Sequence, residues 1–257
     1  MILLKTSEEI AIMRKASTIV AEILEELAAA VRPGVTTGEL DKLAEDLTYK
    51  KGAKPAFKGY QPGDVPYPKT LCVSVNEEIV HGIPSGRKLK QGDIVGLDFG
   101  VVYEGFYGDS ARTVAVGKVP DSTGKLLRVT REALYKGIEQ CHVGNRISDI
   151  ATAVQCHAES AGFSVVEEFA GHGIGRRLHE EPQVPNYFRR GMPNPRLQSG
   201  MVIAIEPMVN EGTAHLRILK DGWTAVTADG KLSAHFEHSV AITETGPEIL
   251  SELDHHV

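Results

Sequence analysis

Hydrophobic positions along this chain repeat first with a helical period and then with the period of strands, and that order occurs twice. From Ser7 to about residue 30, apolar side chains fall three and four apart, and Thr6 and Glu9 stand ahead of them in capping-box spacing. Pro33-Gly34 stops this helix, and Thr37 is expected to cap a second, with Leu40, Leu43, Ala44 and Leu47 on one face. Pro55, Pro62, Gly63, Pro66 and Pro68 mark residues 53–70 as a loop. Strands are predicted at about 71–76, 93–102 and 106–116. Helices follow at about 123–141 and 148–161, the second capped by Ser148, and strands return at about 164–170, 201–209, 215–219, 223–227 and 234–243. Each half reads helix, helix, strands, which is an α+β plan with helices outside a mostly antiparallel sheet. No Ser/Gly-rich linker separates the halves, so one domain over residues 1–257 is expected, with repeats of roughly 1–118 and 119–250.

The repeat can be read residue by residue. Gly92 is followed by an apolar run and then Asp98, and Gly200 by an apolar run and then Glu206, at an offset of 108 residues. Gly34 and Gly52 end successive helical patterns, and Gly144 and Gly162 do the same at an offset of 110 residues. So long a period points to two halves related by a pseudo-twofold rather than to a solenoid.

Composition narrows the class. Of 257 residues, 42% are hydrophobic and 24% charged, which suits a globular chain with a substantial core. A net charge of −6 argues against non-specific nucleic-acid binding, although a local basic patch could still touch a ribosome. Cys72, Cys141 and Cys156 are far apart with no CxxC, which fits reduced thiols in a cytoplasmic location. Met1 to Leu4 is too short for a signal core, and no apolar run is long enough to span a membrane. The tail from Asp254 through His255 and His256 to Val257 reads as a frayed end rather than a metal trap.

Four acids and one histidine then stand out: Asp98, Asp109, His172, Glu206 and Glu237. Asp98 and Asp109 flank a tight turn within residues 102–105 and are expected to sit directly opposite each other in a hairpin, with Cβ atoms roughly 4.5–5.5 Å apart. Glu206 and Glu237 flank Asp221-Gly222 in the same way, with a second bend at Ala228-Asp229-Gly230. Asp98 and Glu206 lie inside apolar runs, where an ionised carboxylate is costly unless paired or bound to a cation. Two divalent ions would balance the four negative charges, and oxygen ligands plus one imidazole suit Mn, Fe, Co or Zn. A glycine-rich segment around His172 places a second histidine, His179, seven residues on, and His81 precedes Gly82 in a similar setting. His179-Glu180-Glu181-Pro182 lacks the second histidine of an HExxH zinc motif.

These stretches resemble the type I methionine aminopeptidases, whose pita-bread fold is shared with prolidases and creatinases. The matching motifs are Ser74-Val75-Asn76-Glu77-Glu78-Ile79-Val80-His81-Gly82-Ile83-Pro84, Gly108-Asp109, Gly171-His172-Gly173-Ile174-Gly175, His179-Glu180-Glu181-Pro182, Ile205-Glu206-Pro207-Met208-Val209, Lys220-Asp221-Gly222-Trp223-Thr224 and Phe236-Glu237-His238. The resemblance implies the pita-bread fold and removal of the first methionine from new proteins whose second residue is small, by two-metal hydrolysis. It implies that Asp98, Asp109, His172, Glu206 and Glu237 bind metal, with Asp109 and Glu237 bridging. Glu206 would shuttle a proton, His179 would stabilise the oxyanion, and His81 would touch substrate near the scissile amide. The methionine pocket would be lined by Phe57, Tyr60, Tyr67, Cys72, Leu178 and Trp223, a setting that suits a thioether.

This chain departs from the family pattern in two places. The link Gln61-Pro62-Gly63-Asp64-Val65-Pro66 is longer than usual, and Leu178 stands where the family often has phenylalanine. The type II insertion and the zinc-finger extension of eukaryotic forms are not expected, which favours a bacterial-like monomer acting on peptide and nascent-chain N-termini. The rival readings are an X-Pro peptidase, for whose extra N-terminal domain residues 1–70 leave little room, and a non-catalytic scaffold, which would be expected to lose metal ligands.

Overall fold

A computed structural model describes residues 1–253; the tail read as frayed, residues 254–257, lies outside the described residues. The first half runs α1 (Ser7–Ala30), α2 (Thr37–Lys50), β1 (Lys54–Pro55), β2 (Leu71–Val75), β3 (Glu78–Val80), β4 (Ile94–Tyr103) and β5 (Phe106–Ala115). The second half opens with α3 (Asp121–Ile138), α4 (Ile147–Ser160), β6 (Ser164–Val165), β7 (Ala170–Gly173), β8 (Glu180–Pro185) and β9 (Val202–Ile205). It closes with β10 (Met208–Asn210), β11 (Leu216–Ile218), β12 (Ala225–Thr227), β13 (Ser233–His235), β14 (Glu237–Thr243) and β15 (Gly246–Ile249).

The main sheet has nine strands in the order β1-β4-β5-β14-β9-β7-β8, with β2 also on β4 and β15 also on β14. Every pairing in it is antiparallel, so the α+β plan with an antiparallel sheet stands. Strands of both halves meet where β5 pairs with β14. Helices cover the outer face. Val20, Leu24 and Leu27 of α1 and Leu40 of α2 pack on Leu71, Leu97 and Phe99, while Leu134, Ile138, Ile147 and Ile150 of α3 and α4 pack on Ile203, Ile205 and Val240. At Gly108 the backbone of α1 comes so close that an added Cβ would lie 2.7 Å from Ser17 N.

The pseudo-twofold extends to single hydrogen bonds. Gly34 N–H donates to the Leu89 carbonyl, and Gly144 N–H to the Leu197 carbonyl. Leu89 N–H donates to Val35 O, and Leu197 N–H to Asn145 O. Gly34 and Gly144 have φ of 93° and 94°, and Gly92 and Gly200 have 93° and 87°.

Several boundaries differ from the sequence expectation. Thr36, not Thr37, caps α2 in a capping box with Glu39, and the Thr37 hydroxyl instead donates to Ser85 O. Ser148 lies inside α4, where Arg146 N–H donates to the Asp149 carboxylate at 2.7 Å and Ser148 Oγ accepts from Asn194. The long strand expected at 201–209 breaks at Glu206-Pro207, and that at 234–243 breaks at Phe236. The run at 164–170 splits into β6 and β7, β1 lies inside the expected loop at 53–70, and β3, β8 and β15 had no strand expectation.

Candidate metal centre

Strand register explains how residues far apart in the chain meet. The β4–β5 hairpin turns at Glu104-Gly105, with φ of 48° and 80°, and pairs Tyr103 with Phe106. Asp98 therefore faces Ala111, and Asp109 faces Gly100. The expectation of directly opposed aspartates is thus off by two residues, because the turn centre lies one position later than the midpoint of the two acids. They remain diagonal neighbours on one face, still within reach of each other. Gly100 matters here: a Cβ would lie 2.9 Å from Phe57 and 3.2 Å from Asp109 Oδ1. Ala111 also pairs with Glu237, and Cys72 pairs with Asp98, so Cys72, Asp98, Ala111 and Glu237 form one row across four strands.

The Glu206–Glu237 expectation holds in register. Leu216 pairs with Thr227, Met208 with His235, and Ile205 with His238, all symmetric about Asp221-Gly222. The same register brings Glu206 opposite Glu237, at the points where both strands break. β7 supplies His172. Its Nδ1 donates to the Gly173 carbonyl at 2.9 Å, which leaves the Nε2 lone pair free as a ligand. That Nε2 lies 3.7 Å from Glu206 Oε1.

The electrostatics of this cluster ask for cations. Burial pushes Asp98 up to about 7, with Glu206 adding to the rise and His235 opposing it. Burial also drives Asp109 and Glu237 well above the usual carboxylate range, and each feels the other acids of the cluster. Burial would raise Glu206 too, but the His235 imidazole and the neighbouring His172 and His179 outweigh it and hold Glu206 below its ordinary value. Asp109 Oδ1 and Glu237 Oε1 are buried with no hydrogen-bond partner. Asp109, His172 and Glu237 offer ligand atoms within 4.8 Å of one another. Orphaned carboxylate oxygens, mutual repulsion and a lone imidazole nitrogen in one place fit a divalent metal site.

A cavity of about 290 Å³ opens beside the cluster. All six residues expected in the methionine pocket line it: Phe57, Tyr60, Tyr67, Cys72, Leu178 and Trp223. The long 61–66 loop does not displace them, because Tyr67 N–H donates to Tyr60 O and Gly59 N–H to Tyr67 O, both at 2.8 Å. Residues 61–66 are exposed, and of them Pro62 reaches the cavity lining. The Tyr67 hydroxyl lies 3.0 Å from Leu71 O and 2.9 Å from Gly82 O, which fixes the ring against Trp223. Burial pushes the Cys72 thiol well up, so it stays neutral.

His81 follows β3 with a left-handed φ of 61°, an unusual conformation for a residue with a side chain. Its ring stands edge-on to Phe169 and Trp223, and burial lowers its pKa to about 4. His179 is exposed at the cleft mouth, yet its ring packs at 4.1 Å from His172. Loss of water on that inner face, with His172 and His81 nearby, lowers it to about 4, so it is neutral near pH 7. Tyr60 Oη lies 2.5 Å from His179 Nδ1. Phe169, which lines the cavity, and His235, whose Nε2 lies 3.5 Å from Glu206 Oε2, carried no expectation as site residues. His235 stands two positions before Glu237, a same-face spacing along an extended strand, and that spacing was the available signal.

Residues 11–244 match the model of metallopeptidase family M24. The chain belongs to that family. Within M24 it falls with the methionine aminopeptidases and is a metalloaminopeptidase, a hydrolase. It is 52% identical over 251 residues to the methionine aminopeptidase of Clostridium perfringens, covering 98% of this chain and 99% of that one. It is also 52% identical over 255 residues to methionine aminopeptidase 1 of Bacillus subtilis, covering 98% and 100%. The crystal structure of the methionine aminopeptidase from Thermotoga maritima superposes with a TM-score of 0.94 at 47% identity, covering 98% of this chain and 100% of that one. The M24 fold here is the pita-bread fold. Among the described residues, no helix is long and apolar enough to cross a membrane.

Proposed function

We propose that this M24 hydrolase removes the N-terminal methionine from peptides and newly made chains whose second residue is small. The observation that carries this reading is the junction of two features: an apolar, aromatic, thiol-lined cavity closed on one side by a cluster of buried acids. In this reading Asp98, Asp109, His172, Glu206 and Glu237 hold two divalent ions. When bound, such ions lower the pKa of a water and polarise a carbonyl.

The chain's own residues do the rest. The methionine side chain enters between Phe57, Tyr60, Tyr67, Cys72, Leu178 and Trp223, where sulfur meets ring edges and a neutral thiol. That anchorage sets the first peptide bond beside Glu206. Glu206 is held ionised at neutral pH, so it accepts the proton of the attacking water and passes it to the leaving amine. Neutral His179 donates to the developing oxyanion. Tyr60 donates to His179 Nδ1 and so keeps the proton on Nε2, the nitrogen left to serve as donor. His81, held by its backbone conformation and by Phe169, bonds the substrate near the scissile amide. Three free thiols, two of them buried, accord with work on nascent chains in the cytoplasm.

The test is a peptide series. Met-Ala-Ser should be cleaved at its first bond at least tenfold faster than Met-Leu-Ser or any X-Pro peptide. A preference for X-Pro substrates would refute the methionine assignment, and equal rates on Met-Leu-Ser would refute the small-residue rule.

A further inference from the structure

We infer that His235 is a positioning residue for Glu206, fixing the carboxylate that carries the proton; the inference rests on that role for Glu206. His235 ends β13, and its side chain is 4% exposed. Its backbone is clamped by a single side chain from the other half of the chain. The Thr113 hydroxyl donates to His235 O at 2.8 Å and accepts from His235 N–H at 2.9 Å. Thr113 is itself buried on β5, and Met208 pairs with His235 on the other side. The imidazole therefore has little freedom to move.

Its Nε2 is buried, has no closer partner, and lies 3.5 Å from Glu206 Oε2. Glu206 Oε1 in turn lies 3.7 Å from His172 Nε2. The two carboxylate oxygens are thus flanked by different imidazoles. His172 has its Nδ1 tied to a carbonyl and its Nε2 turned to the site as a ligand, so it has no proton there to share with Oε1. His235 is the one left to donate. A buried N–H aimed at a carboxylate and satisfied by nothing else is costly unless that bond forms. A single donor on Oε2 also leaves Oε1 on the side of His172. Glu206 sits where strand pairing breaks before Pro207, so its backbone is held by Asn186, which donates to its carbonyl at 3.0 Å, and not by a ladder like that of Asp98 and Asp109, and its side chain keeps more freedom. The side-chain contact from His235 makes up for that freedom.

The test compares His235→Leu, which removes the donor, with His235→Gln, whose amide nitrogen reaches close to the position of Nε2. His235→Leu should lower kcat on Met-Ala-Ser by about 10–100-fold with KM changed less than threefold, and should weaken Mn²⁺ affinity in calorimetry by about tenfold or more. His235→Gln should keep both within threefold of the native values. In a Glu206→Ala background, His235→Leu should cost no further Mn²⁺ affinity, because the group it positions is gone. A native-like His235→Leu enzyme, a His235→Gln enzyme as damaged as the leucine variant, or an undiminished His235→Leu loss in the Glu206→Ala background would overturn the inference. Near-native turnover by Glu206→Ala alone would instead overturn the role of Glu206, and the inference with it.

Discussion

At the scale of single residues, the centre is unstable by design until it holds cations. Asp109 is buried, carries an unpartnered oxygen and is pushed well above the ordinary carboxylate range. Removing its charge while keeping its shape should therefore relieve the metal-free protein and disable the loaded one. Asp109→Asn is expected to raise the metal-free melting temperature at pH 8 by roughly 2–4 °C, the shift that about 1 kcal/mol gives at this size. It should also lose the stabilisation that Mn²⁺ gives the native chain, and turn over no peptide. A lower metal-free melting temperature with metal stabilisation retained would show that Asp109 is only a structural partner. The pH dependence follows from the same groups. Asp98 rises from 3.8 to about 7 on folding, so its protonated form favours the metal-free fold below about pH 4, and that contribution is lost as pH climbs through 7. Cations need the ionised acids. Mn²⁺ affinity should accordingly increase from pH 6 to pH 8, and binding at pH 6 should release protons, measured by calorimetry in buffers of different ionisation enthalpy. A pH-independent affinity with no proton release would mean that the acids are already ionised without metal.

At the scale of elements, the register of two hairpins sets the site. Exposed loops around it are free to vary. The 61–66 loop illustrates this, since hydrogen bonds between Tyr60, Tyr67 and Gly59 close it at its base. Replacing residues 61–66 with a two-residue Asn-Gly turn should leave kcat/KM for Met-Ala-Ser within threefold, because loop length alone costs little. A loss beyond tenfold would mean that Pro62, which lines the cavity, takes part in binding. Much of this level was legible in the sequence. The Asp221-Gly222 turn gave the Glu206–Glu237 register correctly, since Asp-Gly has few other uses between apolar runs. The Asp98–Asp109 register was misread by two residues because Val102, Tyr103, Glu104 and Gly105 offer several turn centres and only backbone pairing chooses among them. Pro207 marked the first strand break, since proline cannot donate to a ladder, whereas no turn residue marked the break at Phe236. β3 and β8 are short strands whose edges are set by tertiary pairing, so no local pattern marked them. His235 was passed over for a related reason: the burial and the nearby Glu206 that give it meaning belong to the fold, not to its neighbours in sequence.

At the scale of the whole molecule, two copies of one helix–helix–strand plan share a single sheet, and the acids come from both. Asp98 and Asp109 belong to the first copy, and His172, Glu206 and Glu237 to the second. Sequence repetition at offsets of 108 and 110 residues foretold this symmetry, and the matched hydrogen bonds at Gly34 and Gly144 carry it into the backbone. At this seam each half braces the other, as the Thr113 hydroxyl of the first holds the His235 backbone of the second. The most direct measurement strips the protein of metal and returns Co²⁺ or Mn²⁺ stepwise while following release of methionine from Met-Ala-Ser. The stripped protein should be inactive, and activity should return with binding that saturates at two ions per chain. Undiminished methionine release after complete metal removal, or no divalent binding by the intact chain, would contradict the account.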